Sequence, residues 1–241
     1  MQNSYDKYWE GAEKSYSYYP SVRHRKRFIL KTLSKYGFDK KKYLFDYGCG
    51  EGDALLAIFK HFGSPQEQLG GCDISKQAVE IAKEKLKSPL LFAEIYPALS
   101  QKFDFVLCSE VVEHTPDYEK IISWIYNNLK SGGYLILTTQ SGKIHASDKY
   151  AGHTQHFNIN NLNAILKRAG FETKYKSLWG FPLFTLQKYL TDINFESVQK
   201  EYLEGEMSLR KKIIFSLTYL FYFAHDLIPF GPQIYIVSKK S

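Results

Sequence analysis

The chain has 241 residues, 44% of them hydrophobic and 24% charged, with a formal net charge of +7. These fractions exclude a disordered or fibrous chain and suit one globular domain carrying insertions. The basic excess is almost wholly lysine, with arginine only at positions 23, 25, 27, 168 and 210. Forked recognition of phosphates and bases favours arginine, so the charge does not select nucleic acid as a partner.

The opening stretch "MQNSYDKYWEGAEKSY" lacks the apolar core of a secretion signal. Its aromatics suit a lid over a bound ligand or packing on a sheet edge. The "RHRKR" run reads as a solvated helix start, with phosphate binding as the alternative. From there strands and helices alternate. "RKRFILKTLSKYG" has helical spacing, "YLFDYG" is a short apolar strand, and "DALLAIFKHFG" is a helix. "LGGCDIS" is a strand, "KQAVEIAKEKL" an amphipathic helix, "LLFAEI" a strand, and "FDFVLCSE" a buried strand. "YEKIISWIYNNLK" is a helix stopped by Gly132-Gly133, before the strand "GYLILTTQ". This alternation implies a parallel sheet covered on both faces. "INNLNAILKRAGF" is a further helix, and "FETKYKSLWG" and "PQIYIVSKKS" alternate like strands. About fifty residues separate those two strands, too many for a plain connection. Cys49, Cys72 and Cys108 form no CxxC pair and sit in apolar runs, as buried thiols in a reducing compartment would.

The chemistry concentrates in "LFDYGCGEGDALL". Its pattern is Asp46-x-Gly48-x-Gly50-x-Gly52 between a strand and a helix. A pyrophosphate-binding GxGxxG would need glycine at 53, where Asp53 stands. A carboxylate beside the loop repels pyrophosphate and suits a ligand carrying an ammonium group. About twenty residues on, Asp73 ends the next strand, where an acidic side chain reaches ribose hydroxyls.

Together these motifs resemble the class I S-adenosylmethionine-dependent methyltransferases over about residues 40 to 175 and the terminal strand. "FDYGCGEG" is similar to the family's first motif, "CDIS" to its second, and "FDFVLCSEVVEH" and "LKSGGYLILTT" to later ones. "HFNINNLNAILKRAGF" is similar to a segment of the small-molecule branch, which includes ubiquinone-pathway and glycan-locus O-methyltransferases. The resemblance implies a three-layer α/β, Rossmann-like seven-stranded sheet, mostly parallel with an antiparallel edge hairpin. It implies S-adenosylmethionine as cofactor and S-adenosylhomocysteine as product. Asp46 and Gly48 would lie by the methionine moiety, with Cys49, Gly50 and Gly52 lining the loop. Asp73 would hold the ribose hydroxyls, Ile74 would flank the adenine, and Ser109 and Glu110 would lie near the sulfonium. Glu94 stands where relatives often place an aspartate beside the adenine amine.

Glu110, Glu113 and His114 share a face if their segment is helical. With His153 or His156 they could bind a divalent metal, as some relatives do through a Glu-x-x-Glu-His motif. The favoured reading is metal-free, with Glu113 pairing locally and His114 lining the acceptor pocket. An oxygen nucleophile must lose a proton, and His114, His153 and His156 are the candidate bases.

The expected division is an N-terminal helical segment (1–38), a cofactor-binding core (39–180), a helical insertion (181–230) and the terminal strand of the sheet (231–241). "RKKIIFSLTYLFYFA" reads as a lid or pocket wall, with peripheral membrane contact through residues 210–230 as the alternative. The expected function is methyl transfer to a small-molecule, sugar or lipid-linked acceptor, at a hydroxyl oxygen, in the cytoplasm or peripherally at the membrane. Metal-assisted RNA 2′-O-methylation and a non-catalytic cofactor-binding protein are the alternatives, and oligomeric state stays open.

Overall fold

The computed structural model describes residues 16–203 and 207–241. Seven strands form one sheet: β1 (Leu44–Tyr47), β2 (Leu69–Cys72), β3 (Leu91–Phe92), β4 (Phe103–Ser109), β5 (Leu129–Gln140), β6 (Phe171–Trp179) and β7 (Gln233–Lys240). Their order is β3-β2-β1-β4-β5-β7-β6. The first five are parallel, and β7 runs antiparallel between β5 and β6.

Helices cover both faces. On one side α1 (Pro20–Lys35), α2 (Asp53–Phe62) and α3 (Lys76–Lys85) bury Ile29, Leu33, Leu55, Ile58, Val79 and Ala82. On the other, α4 (Tyr118–Asn128) and α6 (Ile159–Arg168) bury Ile121, Ile122, Ile125, Leu162 and Leu166. Every residue of β1 is buried, as a central strand of a doubly covered sheet requires.

Two expectations need correction. Gly132-Gly133 do not stop α4. The helix ends at Asn128, and Leu129, fully buried, already pairs with Phe103. The glycines lie inside β5, where Gly132 takes a φ of 75° and the pairing with β4 shifts register. "LLFAEI" supplies only the two-residue edge strand β3, because β2 offers it just Gly71 and Cys72, and Glu94, Ile95 and Tyr96 are exposed.

The insertion hangs between β6 and β7, which pair along their length up to Trp179 and Gln233. It holds α7 (Leu183–Ile193), α8 (Phe195–Val198) and α9 (Leu209–Phe221), and α5 (Ala146–Tyr150) packs against α7. Among the described residues no helix is long and apolar enough to cross a membrane. The aromatic stretch "YDKYWEG" lies outside the described residues.

Candidate active site

The sheet order reverses at β1: the chain builds outward to β2 and β3, then returns to place β4 on the other side. Ligands of such sheets sit at the carboxyl ends of the strands at this switch point. Here those ends carry Asp46, the glycine loop, Asp73, Ser109 and Glu110.

Gly48 has a φ of 79°, and a Cβ there would lie 2.3 Å from the Val111 Cγ2. Only glycine meets both conditions. The loop is tied to β2: the N–H groups of Gly48 and Cys49 donate to the Cys72 carbonyl at 2.8 and 2.9 Å. The N–H of Gly50 donates to Asp73 Oδ2 and that of Ser75 to Asp73 Oδ1, both at 2.9 Å. The Asp73 carboxylate is thus oriented by backbone. Gly52 leads directly into α2, and Ile74 is half-buried beside Asp73. Cys49 does not line the site with its side chain; the thiol is buried in the core beside Gly71. All three cysteines are buried and free.

Asp46 is 3% exposed, and its Oδ1 is buried with no hydrogen-bond partner. Burial, then the Asp73 charge, push its carboxyl up to about 7 against the pull of Arg25. A cationic ligand would relieve this. Because the folded value lies above the unfolded 3.8, stability is greatest below that value and falls as pH rises toward 7. Asp46→Asn is therefore expected to flatten the decline of melting temperature between pH 4 and 7. The gain is up to about 4 kcal/mol at pH 8. Parallel slopes for the two proteins would refute the ionised, strained Asp46.

Glu110 takes a φ of 57°, rare for a side-chain-bearing residue. Its N–H donates to the Thr138 carbonyl at 3.0 Å. Its carboxylate accepts from Thr138 Oγ1 at 2.8 Å and Gln140 Nε2 at 3.4 Å, and lies 3.5 Å from Arg25 Nη1. Burial pushes this carboxyl up, but Arg25 and Thr138 outweigh it and hold it below the usual range. Ser109 Oγ joins Thr138 Oγ1 at 2.9 Å. Arg25 corrects the reading of "RHRKR" as solvated. His24 and Arg25 are buried, His24 among Phe28, Trp179 and Tyr222. Arg25→Met would leave Glu110 buried without its cation, at about 3 kcal/mol and a melting point lower by roughly 10 °C. Arg25→Met/Glu110→Gln should recover most of that. The loss should fade below pH 4.5, as Glu110 protonates. Equal loss in the single and double variants would show that Arg25 acts by packing alone.

Glu110, Glu113 and His114 do not share a helical face. Val112–His114 is one 3₁₀ turn, and Glu110 precedes it in the left-handed conformation. Glu113 is fully buried, accepts from Thr139 Oγ1 at 2.7 Å, and is pushed well up by burial and by Glu110. The three predicted histidines do converge. The rings of His114 and His153 meet at 4.7 Å, and His153 Nδ1 lies 3.0 Å from His156 Nε2. Two overlapping groups have ligand atoms within 4.8 Å of one another: Glu113, His114 and His153, and Asp148, His153 and His156. Either donor set suits a divalent cation. In the second, however, the Lys188 ammonium already lies 2.5 Å from Asp148 Oδ1.

Sequence reasoning missed Arg25, Thr138, Gln140, Asp148 and Lys188. Lys188 also donates to Gln140 Oε1, and Gln140 reaches Glu110. One polar chain therefore runs from α1 across the strand ends to α7. The one available signal was that Lys188 follows Phe184 by one turn, on the side of α7 that is buried.

This sheet order, with an acid, a glycine loop and a second acid at the switch point, defines the class I methyltransferase fold. The chain belongs to the methyltransferase domain family, whose model matches residues 21–175. Phosphoethanolamine N-methyltransferase 2 of Caenorhabditis elegans is 29% identical over 157 residues, 59% of this chain and 35% of that protein. The ubiquinone biosynthesis O-methyltransferase of Coxiella burnetii is 31% identical over 107 residues, 42% of this chain and 44% of that protein. The matched part spans less than half the length of these relatives. Haemonchus contortus phosphoethanolamine N-methyltransferase 2, solved in complex with S-adenosyl-L-methionine, superposes with a TM-score of 0.59 at 21% identity, covering 90% of this chain and 52% of that one. That likeness is one of fold.

Proposed function

We propose that the protein transfers a methyl group from S-adenosylmethionine to a small-molecule, sugar or lipid-linked acceptor, at a hydroxyl oxygen. The observation that carries this reading is Asp46: a buried carboxylate with an orphaned oxygen, beside a loop too tight for any residue but glycine at position 48. A pyrophosphate would be repelled there, and an ammonium group is attracted. Asp46 and the loop of Gly48, Gly50 and Gly52 would hold the amino-acid end, and Asp73 the ribose, with Ile74 and Ser109 at the edges. When bound, S-adenosylmethionine supplies an electrophilic methyl group. The protein's own task is alignment, exclusion of water and removal of the acceptor proton.

The histidine relay suits the last of these. His156 Nδ1 lies 3.2 Å from the Gly142 carbonyl, so it carries the proton. His156 Nε2 then accepts from His153 Nδ1, and the lone pair of His153 falls on Nε2. Burial lowers all three histidines, His153 to about 3, so the rings are neutral at pH 7 with a free lone pair, and His153 acts as a weak base that orients the acceptor hydroxyl and takes up its proton as the methyl bond forms. Lys188, paired with Asp148, fills the second cation site with an ammonium, which supports the metal-free reading.

Methyl-labelled S-adenosylmethionine, incubated with small-molecule and lipid extracts and with total RNA, tests the reading. Label is expected in the small-molecule or lipid fraction and to persist after chelation by EDTA. Label confined to RNA, loss on chelation with rescue by a divalent ion, or cofactor binding without any transfer would each overturn it.

A further inference from the structure

Both long helices of the insertion are packed inside out. Helix α7 buries Phe184 and Lys188 and exposes Leu186, Tyr189, Leu190 and Ile193, a stripe at helical spacing. Helix α9 buries only Lys211, and sets Phe215 on Tyr19 and Tyr219 under Arg23. It turns Leu209, Ile213, Leu217, Leu220 and Phe221 outward, Leu217 at 55% and Phe221 at 67% exposure. The Tyr222 hydroxyl, just past α9, donates to Gln187 of α7 at 2.8 Å, so the two helices adjoin. Leu227 and Phe230 extend the exposed apolar surface. Single exposed leucines need no explanation, but a surface this large marks an interaction site.

The charges beside it name the occupant. A groove of about 510 Å³ runs along α1 to Tyr219 of α9, lined by Arg23, Lys26, Arg27, Lys31 and His61, with no carboxylate of the described residues in its wall. Asp226 pairs with Arg27 and Lys31, and Asp53 with Lys26, so the four groove cations set against these two carboxylates leave an excess of two positive charges. Arg210 and Lys212, on α9 itself, pair with no carboxylate of the described residues. Glu196 and Lys200 are both exposed on the segment between the helices, and the sequence there adds Glu204 and Glu206, which Arg210 and Lys212 match in number.

We propose that α7 and α9 dock the protein on an anionic lipid bilayer, with the apolar stripes in the interface and the α1 groove on the headgroups. Burial of the apolar stripe drives the docking, and cations near an anionic surface add to it. Helix α7 then has two faces: Lys188 joins the site, and the leucine stripe meets the lipid. The acceptor that fits this arrangement is an amphiphile held in the bilayer, a step that rests on the reading of methyl transfer above.

Flotation of the full chain with phosphatidylcholine vesicles, with and without a quarter phosphatidylglycerol, tests the docking. Calorimetry with S-adenosylmethionine on the same samples reports the fold. The protein is expected to float with the anionic vesicles. Leu217→Gln/Leu220→Gln/Phe221→Gln should lower the bound fraction at least tenfold at unchanged cofactor affinity. Arg210→Gln/Lys212→Gln should lower it severalfold. A protein that binds cofactor but stays in the bottom fraction would overturn the docking and leave the cofactor reading intact. Flotation without cofactor binding would support docking while removing the methyl-transfer reading. A stable dimer in sedimentation velocity, broken by the triple variant, with no flotation, would assign the surface to a second copy of the chain and overturn the proposal.

Discussion

Asp73→Ala is expected to weaken S-adenosylmethionine binding at least a hundredfold. The carboxylate sits at the end of β2, and both its oxygens are aimed by backbone donors from Gly50 and Ser75. In the proposed complex it accepts from the ribose hydroxyls. Two charge-assisted bonds at roughly 1.5–3 kcal/mol each give about 3 kcal/mol or more, which is a factor of a hundred. The variant also frees the Gly50 and Ser75 N–H groups, so part of the loss arises from a slackened loop. Asp73→Asn separates the effects, because its amide oxygen can keep one backbone bond. An intermediate loss is expected for it. Calorimetry measures all three proteins, with melting temperature as the check on folding. Unchanged affinity in Asp73→Ala, in a folded protein, would remove the ribose from Asp73.

His153→Ala is expected to lower the rate of methyl transfer by about a hundredfold at unchanged cofactor affinity, the low end of the range for losing a general base. His156 acts through His153, by accepting from its Nδ1, so His156→Ala should cost about tenfold. The pH profile distinguishes this from a structural role. Burial holds His153 neutral down to about 3, so the wild-type rate should not fall with a midpoint near 6.5, as an ordinary histidine would cause. His156→Ala removes the acceptor that fixes the His153 tautomer, and it should change the profile as well as the rate. A rate within twofold of wild type in His153→Ala would transfer the role to His114 or to no side chain.

The glycine loop and Asp73, where the cofactor is proposed to bind, were legible as a pattern in the sequence because their conformation is dictated by backbone. Position 48 admits only glycine, on account of its φ and of Val111. Asp73 follows a strand whose neighbours are set by the βαβ order. Such constraints are local, so they leave local patterns. The fold was legible for the same reason, down to the antiparallel β7 between β5 and β6. The polar chain beside the glycine loop was not. Arg25 and Glu110 are far apart in the chain, as are Gln140 and Lys188. Arg25 and Lys188 alone read as ordinary solvated side chains on helices. Only tertiary packing turns Arg25 inward from "RHRKR" and buries Lys188 under a stripe of leucines that a soluble helix would have turned the other way. The left-handed Glu110 had no sequence signal either, since glutamate does not ordinarily adopt that conformation.

A crystal structure with S-adenosylhomocysteine tests the central claim most directly. The ligand is expected across the carboxyl ends of β1, β2 and β4, with both ribose hydroxyls within hydrogen-bond distance of Asp73 and the amino group against the orphaned oxygen of Asp46. A ligand lying elsewhere, or one in this crevice with Asp46 still unpartnered and Asp73 facing no hydroxyl, would contradict the account.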